Sequence, residues 1–150
     1  MFNQQDFTTT LKQAGMRLTP QRMAICEFVL NTDTHPTAAQ IYENMRREYP
    51  SLSLMTVYNT LNALVNLGMV NVLGTIGDDN IHYDGVISPH VNMACIECHQ
   101  IIDVPSNSIV ALDREIGGAS GYKILGSRML YYGLCPDCQK PKTNILNKEK

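Results

Sequence analysis

Little in this chain announces a partner by charge. Its 150 residues hold 12 Lys+Arg against 14 Asp+Glu, a formal net charge of −2 with a pI near 6.0. A basic excess, the usual electrostatic footprint of a nucleic-acid-binding domain, is missing, so any reading as a DNA binder must rest on shape and on individual residues. Divided after Asp84, the first part carries 5 Lys+Arg and 8 Asp+Glu, the second 7 and 6. No apolar run approaches the roughly 20 residues of a membrane span, so no membrane partner is expected. The opening Met1-Phe2-Asn3-Gln4-Gln5-Asp6 has neither a basic flank nor an apolar stretch, so no secretory signal is expected and the setting is read as cytoplasmic. None of His35, His82, His90 or His99 is followed two residues later by Glu, which removes the zinc-deaminase pattern. The 44% hydrophobic content is ordinary for a folded globular protein of one domain or two small ones.

Four of the five cysteines form two pairs, Cys95-Ile96-Glu97-Cys98 and Cys135-Pro136-Asp137-Cys138. Two intervening residues let both sulfurs of a pair face one ion, and two such knuckles supply a closed tetrahedral tetrathiolate. Soft thiolates at this spacing select zinc or an iron–sulfur centre. A closed site leaves no position for substrate, so a structural Zn²⁺ on Cys95, Cys98, Cys135 and Cys138 is expected. The rival from a different class is a thiol oxidoreductase using Cys135 and Cys138. That chemistry wants a helix opening at the motif to lower the first thiol's pKa, and the following Gln139-Lys140-Pro141 ends structure instead. Cys26, among Met23, Ile25, Phe28 and Val29, reads as a small buried hydrophobe.

Residues 1–84 read as helices followed by a wing. Phe7–Ala14 is a short helix stopped by Gly15. Thr19 caps the next and Pro20 takes its first position, with the helix running to about Leu30. Thr37 and Gln40 make a capping box, opening a helix with Ala38, Ile41, Tyr42 and Met45 on one side. Ser53 caps a fourth helix that ends at Gly68, with Leu54, Val57, Leu61, Leu64 and Val65 as its buried stripe. Its exposed side gathers Asn59, Asn62 and Asn66, with Tyr58 on the flank. Val70–Leu73 and Asn80–Tyr83 read as two strands of a hairpin. Helices followed by a hairpin are a winged-helix plan, whose last helix would lie in the DNA major groove; asparagine can pair with adenine there. The bland alternative is a helical bundle with a solvated asparagine face.

Residues 85–150 alternate differently. His90–Cys95 and Ile101–Val104 read as strands joined by the first knuckle. A helix from Ser106 or Asn107 to about Ile116 is expected to break at Gly117-Gly118, and Tyr122–Leu134 to form a long strand entering the second knuckle. So few elements bury little surface alone, so zinc and pairing with a second copy are the expected remedies. Residues from about 140 to 150 read as a loose tail. Around the joint, His82, Asp84, His90, Asn92, Asp103 and, further back, His35 are metal-type residues, and on a strand His90 and Asn92 share a side. Imidazoles with carboxylates suit Fe²⁺, Mn²⁺ or Zn²⁺, and an ion held from both parts would fix their relative orientation.

In combination, Arg17-Leu18-Thr19-Pro20-Gln21-Arg22, the run from His35 to Tyr42, Thr56-Val57-Tyr58-Asn59-Thr60-Leu61, Gly68-Met69-Val70, Tyr83-Asp84, the run from His90 to Cys95 with Cys98, Asp103, and Cys135 to Cys138 resemble the ferric uptake regulator superfamily, and within it the peroxide-responsive type. The resemblance spans Arg17 to Cys138. It implies an α+β protein: a winged-helix DNA-binding domain over 1–84 and a small α/β zinc-containing dimerisation domain over 85–150. It implies a regulatory Fe²⁺ or Mn²⁺ on His35, Asp84, His90 and Asp103, one per subunit beside one structural zinc. The family's usual fifth ligand is a histidine where this chain has Asn92, an intrinsically weaker ligand; His82 is a conceivable substitute. Asp103 and Asn59 look like the peroxide-responsive type. The implied function is a metal-dependent repressor, not an enzyme, acting as a homodimer on a palindromic operator. Tyr58, Asn59 and Thr56 would read bases, and Arg17 and Arg22 would hold phosphates. Hydrogen peroxide would be sensed by iron-catalysed oxidation of a ligand histidine, His35 or His90. The alternative within the fold is a repressor answering to iron or manganese occupancy.

Overall fold

The computed structural model describes residues 4–75 and 77–140, which form five helices and five strands. The expected tail falls, from residue 141 on, outside the described residues. α1 (Gln4–Gln13) gives way to Gly15, whose φ of +74° favours a residue without Cβ. α2 (Pro20–Asn31) starts as the sequence predicts: the Thr19 side chain accepts from the Arg22 N–H at 3.3 Å and Pro20 opens the helix. α3 (Ala38–Met45) carries the full capping box, with Gln40 N–H donating to Thr37 at 3.2 Å and Thr37 N–H donating to Gln40 Oε1 at 2.8 Å. α4 (Leu54–Asn66) begins where Ser53 accepts from the Thr56 N–H at 3.1 Å.

These helices close one core. Leu11, Ile25, Val29, Ile41, Val57, Leu61 and Leu64 are fully buried together, and each such side chain contributes about 1.5–3 kcal/mol by leaving water. Leu54, the first residue of α4, departs from the expected stripe and is 38% exposed. Thr60 is buried in the α4 face, its hydroxyl satisfied by donating to the Thr56 carbonyl at 2.7 Å.

β1 (Asn71–Gly74) and β2 (His82–Asp84) pair antiparallel as the wing, with Asn71 opposite Asp84 and Val72 opposite Tyr83. Both strands begin later than the sequence suggested. Val70 is drawn into the helical core, and Asn80 is used in the turn, where its N–H donates to Asp78 Oδ1 at 3.2 Å. β2 is also stitched to the loop before α3: Thr37 bridges to His82, and Tyr83 N–H donates to the Pro36 carbonyl at 3.1 Å. Gly85 follows at once. A Cβ there would sit 2.3 Å from the Val29 carbonyl oxygen and 2.9 Å from Leu30 Cα, so the backbone lies against the end of α2 and only glycine fits.

The second sheet has β3 (Val91–Cys95) in the middle, antiparallel to β4 (Ile101–Val104) and parallel to β5 (Met129–Gly133). Asn92 stands opposite Asp103 in β4. α5 (Ile109–Ser120) lies in the crossover that a parallel pair requires. Gly117-Gly118 does not break it. Each glycine costs a helix only about 1 kcal/mol relative to alanine, and α5 ends at Gly121, φ +72°, whose N–H returns to the Gly117 carbonyl. The long strand expected over Tyr122–Leu134 is real only at Met129–Gly133, since residues 121–128 pair with no strand among the described residues. Ala94 and Ile101 are the buried centre of this sheet, with Leu73 and Leu130 against them. Much apolar surface stays open, including Tyr122, Leu125, Tyr131 and Tyr132. Among the described residues no helix is long and apolar enough to cross a membrane.

Candidate functional site

The two knuckles converge because β3 and β5 run parallel and deliver Cys95 and Cys135 to the same end of the sheet. The sulfurs of Cys95, Cys98, Cys135 and Cys138 all lie within 4.8 Å of one another. Cys98 Sγ and Cys135 Sγ are 3.8 Å apart, far beyond a disulfide bond. Backbone N–H groups are already aimed at the sulfurs: Cys135 N–H donates to Cys95 Sγ at 3.3 Å and Cys138 N–H to Cys135 Sγ at 3.4 Å. Hydrogen bonds from the Cys135 and Cys98 backbone bring the Cys95 thiol down to about 6, while the neighbouring Cys135 sulfur, with burial, pushes Cys138 up to about 12. Crowded thiols that cannot all ionise by themselves are what a divalent cation resolves. A turn, not a helix, follows Cys135, so the arrangement that would activate a redox thiol is missing. Cys26 is fully buried in the helical core, its thiol pushed up to about 11 by burial.

The second cluster joins the two parts of the chain. His35 comes from the loop before α3, Asp84 from β2, His90 from the approach to β3 and Asp103 from β4. His35 Nε2 lies 2.9 Å from Asp103 Oδ1 and 4.0 Å from Asp84 Oδ1; His90 Nε2 lies 3.2 Å from Asp84 Oδ2 and 3.4 Å from Asp103 Oδ1. Ligand atoms of His35, His90 and Asp103 fall within 4.8 Å of one another. The ring of His90 is oriented by its Nδ1–H, which donates to the Ser88 carbonyl at 2.8 Å, leaving Nε2 for the site. Burial alone would lower the pKa of His90, but the Ser88 bond and the charges of Asp84 and Asp103 more than offset this and raise it.

Among the described residues, the buried side-chain atoms without a hydrogen-bond partner are His35 Nδ1, Asp84 Oδ2, Asn92 Oδ1 and Asp103 Oδ1. All belong to this cluster. Asp84 Oδ2 and Asp103 Oδ1 stand at ion-pair distance from imidazoles, yet neither accepts a well-directed hydrogen bond. Buried acceptors are seldom left so, and a cation at their common focus would satisfy them. Two imidazoles and two carboxylates fit Fe²⁺ or Mn²⁺ by donor chemistry.

Asn92 is 3% exposed, with Nδ2 3.1 Å from His90 Nε2. Turning the amide over would place Oδ1 toward the same point. His82 stands outside the cluster. Its Nδ1 lies 2.9 Å from the His35 carbonyl oxygen and its Nε2 2.9 Å from Asp78 Oδ2, so both nitrogens are engaged and neither is open to an ion. Asp78 itself was not singled out in the sequence; the Gly77–Asn80 composition marks a turn without saying which carboxylate faces inward.

On α4, Tyr58, Asn59, Asn62 and Asn66 are exposed along one face and Thr56 is half-buried, its hydroxyl 2.9 Å from Ser53 Oγ. Gln21 Nε2 donates to Ser51 Oγ at 2.8 Å, tying the start of α2 to the segment leading into α4. Arg22 Nη1 donates to the Arg17 carbonyl at 2.9 Å, and Arg17 is exposed beside it.

The profile of the ferric uptake regulator family matches residues 13–132. The chain is 36% identical over 135 residues to the peroxide operon regulator of Bacillus subtilis, covering 90% of this chain and 92% of that protein. It is 34% identical over 130 residues to the peroxide-responsive repressor PerR of Staphylococcus aureus, covering 87% of each. Among solved structures, PerR of Streptococcus pyogenes matches with a TM-score of 0.54 at 32% identity, covering 93% of this chain and 95% of that one. The Helicobacter pylori ferric uptake regulator Fur shares the fold, with a TM-score of 0.78 at 21% identity over 93% of both chains.

Proposed function

Because this chain belongs to the ferric uptake regulator family, we propose that it is a metal-dependent repressor that holds DNA as a homodimer and lets go when peroxide oxidises a histidine of its regulatory site. As a member it is a transcription regulator and not an enzyme. The observation that carries the reading is the set of unpartnered buried acceptors of Asp84, Asn92 and Asp103 converging on His35 and His90, at the seam between residues 1–84 and 85–150. Similarity to relatives named for peroxide response supports the signal.

In this reading Cys95, Cys98, Cys135 and Cys138 hold a structural zinc that stands in for the core the second sheet lacks. His35, Asp84, His90 and Asp103 hold the regulatory ion, with Asn92 beside it. His35 belongs to the winged-helix part and Asp103 to the dimerisation part, so closing the site fixes the angle between them. Two winged helices held at a fixed separation by dimer symmetry fit two half-sites of a palindrome. Tyr58, Asn59 and Thr56 face base edges, and Arg17 and Arg22 face phosphates. Fe²⁺ held by these residues would supply redox chemistry toward peroxide that Mn²⁺ would not, with one peroxide oxygen passing to a histidine ring and the other leaving as water. His35 and His90 would be the rings next to the ion, and a ring that gained oxygen would no longer draw the seam closed.

Mass spectrometry after peroxide treatment tests this. Addition of one oxygen to a peptide containing His35 or His90, in iron-loaded and not manganese-loaded protein, is expected. Release of DNA by peroxide with both peptides unmodified would overturn it. Buried Asn92 favours a second reading, a repressor that answers to metal occupancy, since an amide oxygen binds more weakly than imidazole and would let the ion exchange. DNA binding that follows free Fe²⁺ or Mn²⁺ concentration and ignores peroxide would select that reading.

A further inference from the structure

His82 is 5% exposed and makes two side-chain bonds, neither to a member of the cluster's ligand set through its side chain. One goes to the backbone carbonyl of His35. The other goes to Asp78 in the wing turn. His35 has φ +49°, a left-handed conformation that a residue with a Cβ seldom adopts, so something must hold it there. The neighbouring backbone shares the task through the Thr37–His82 bridge and the Tyr83 N–H to Pro36 bond. Asp78 is fixed in turn: Asn80 N–H donates to Oδ1 at 3.2 Å and Asn80 Nδ2 donates to the Asp78 carbonyl at 2.8 Å. Gly77 rests on the first zinc knuckle, where an added Cβ would meet the Ile96 carbonyl and the His99 ring at 3.5 Å.

We propose that His82, anchored by Asp78, is a positioning residue for the regulatory ion: it sets the backbone of His35 and so couples the wing turn to the metal site. The inference rests on the metal-site reading above. His35 Nε2 reaches Asp103 from a backbone whose carbonyl is gripped on the far side by His82. Release of that grip frees the His35 backbone to relax out of its left-handed conformation and carries the ring away from Asp103. Partners that orient a ligand without touching the metal commonly change affinity about 10–100-fold.

The test uses the zinc-loaded full chain and the probes Mn²⁺ and Co²⁺. His82→Ala is expected to bind Mn²⁺ at least about tenfold more weakly and to alter the visible bands of bound Co²⁺. His82→Asn, whose amide N–H can replace Nδ1–H toward the His35 carbonyl, is expected to recover most of both. Asp78→Ala, which touches no ligand, is expected to shift both measures in the same direction by less, and carries the test should His82→Ala not fold. Wild-type Mn²⁺ affinity and Co²⁺ bands in His82→Ala and Asp78→Ala would overturn the proposal, as would a His82→Asn protein as weak as His82→Ala. His90→Ala serves as the control and is expected to abolish the Co²⁺ bands. If it binds like wild type, the ion lies elsewhere, and the metal-site reading falls along with this one.

Discussion

His35 Nε2 lies 2.9 Å from Asp103 Oδ1, although one residue precedes α3 and the other sits in β4 of the second sheet. The contact joins the two parts of the chain, yet Asp103 Oδ1 accepts no well-directed hydrogen bond there and His35 Nδ1, on the other side of the ring, has no partner either. Replacing Asp103 with Ala removes a donor that is 30% exposed and outside both core clusters. Folding should survive. Mn²⁺ affinity should fall at least about tenfold, within the range seen on disturbing metal sites, and metal should no longer strengthen DNA binding. Calorimetric titration with Mn²⁺ and a gel-shift series check both; wild-type affinity would place Asp103 outside the ion's reach.

Asn92 offers the opposite experiment. It is buried beside His90 with its oxygen unpartnered. An imidazole there is a better ligand for Fe²⁺ and Mn²⁺ than an amide oxygen. Asn92→His should tighten Mn²⁺ binding by about tenfold, or 1.4 kcal/mol. An unchanged dissociation constant would show that position 92 does not touch the ion.

The second sheet buries little besides Ala94 and Ile101. Structural zinc contributes about 10–16 kcal/mol of apparent folding energy in small modules. Cys95→Ser should therefore lose zinc and unfold β3–β5 while leaving α1–α4 intact. Zinc content and hydrogen exchange measured residue by residue report this. A zinc-free Cys95→Ser protein with a protected second sheet would contradict it.

Thiol labelling separates Cys26 from the others. Its pKa is raised by burial to about 11 from 9.0, so the thiolate forms in the unfolded chain at lower pH than in the fold. The stability this contributes is fully present below pH 9 and is lost as pH rises toward 11, on the order of 2 kcal/mol. At pH 8, iodoacetamide should modify four cysteines after zinc chelation and leave Cys26 for the unfolded state. Rapid labelling of Cys26 in native protein would show that the helical core is open.

β5 is an edge strand, and Tyr132 and Leu125 are 75% and 89% exposed. Exposed apolar residues beside an unpaired edge mark an association surface. Tyr132→Asp with Leu125→Asp should yield monomers by sedimentation at concentrations where the parent chain is dimeric. A dimer that persists would move the interface to another face.

Local chemistry made much of this legible in the sequence. Thr19, Thr37 with Gln40, and Ser53 cap helices within a few residues of themselves, and Cys-x-x-Cys spacing is enough to aim two sulfurs at one point. The wing register was less legible because Asp78 and Asn80 close a turn that consumes what looked like strand. Gly117-Gly118 reads as a breaker in the sequence, but each glycine costs a helix only about 1 kcal/mol relative to alanine, and the left-handed stop falls at Gly121. The long strand before the second knuckle comes down to five residues, as no partner strand among the described residues lies beside residues 121–128. His82 shows the limit most clearly. Spacing placed it near Asp84, but only three dimensions show its ring turned back toward the His35 carbonyl and away from the ligands.

Gly85 has a mechanical consequence. Its backbone is pressed onto the end of α2, and the Val86 N–H is tied back to Asp84 Oδ1 at 2.7 Å. Contacts with the first part of the chain therefore hold the backbone through Val86, and only Ile87, Ser88 and Pro89 separate it from His90. That three-residue strap runs from Val86, which is held to Asp84, to His90, so two of the proposed ligands stand on either side of it. In the proposed reading, an ion shared by Asp84 and His90 would close across only five intervening residues, so its presence would set the direction in which the chain leaves the first part.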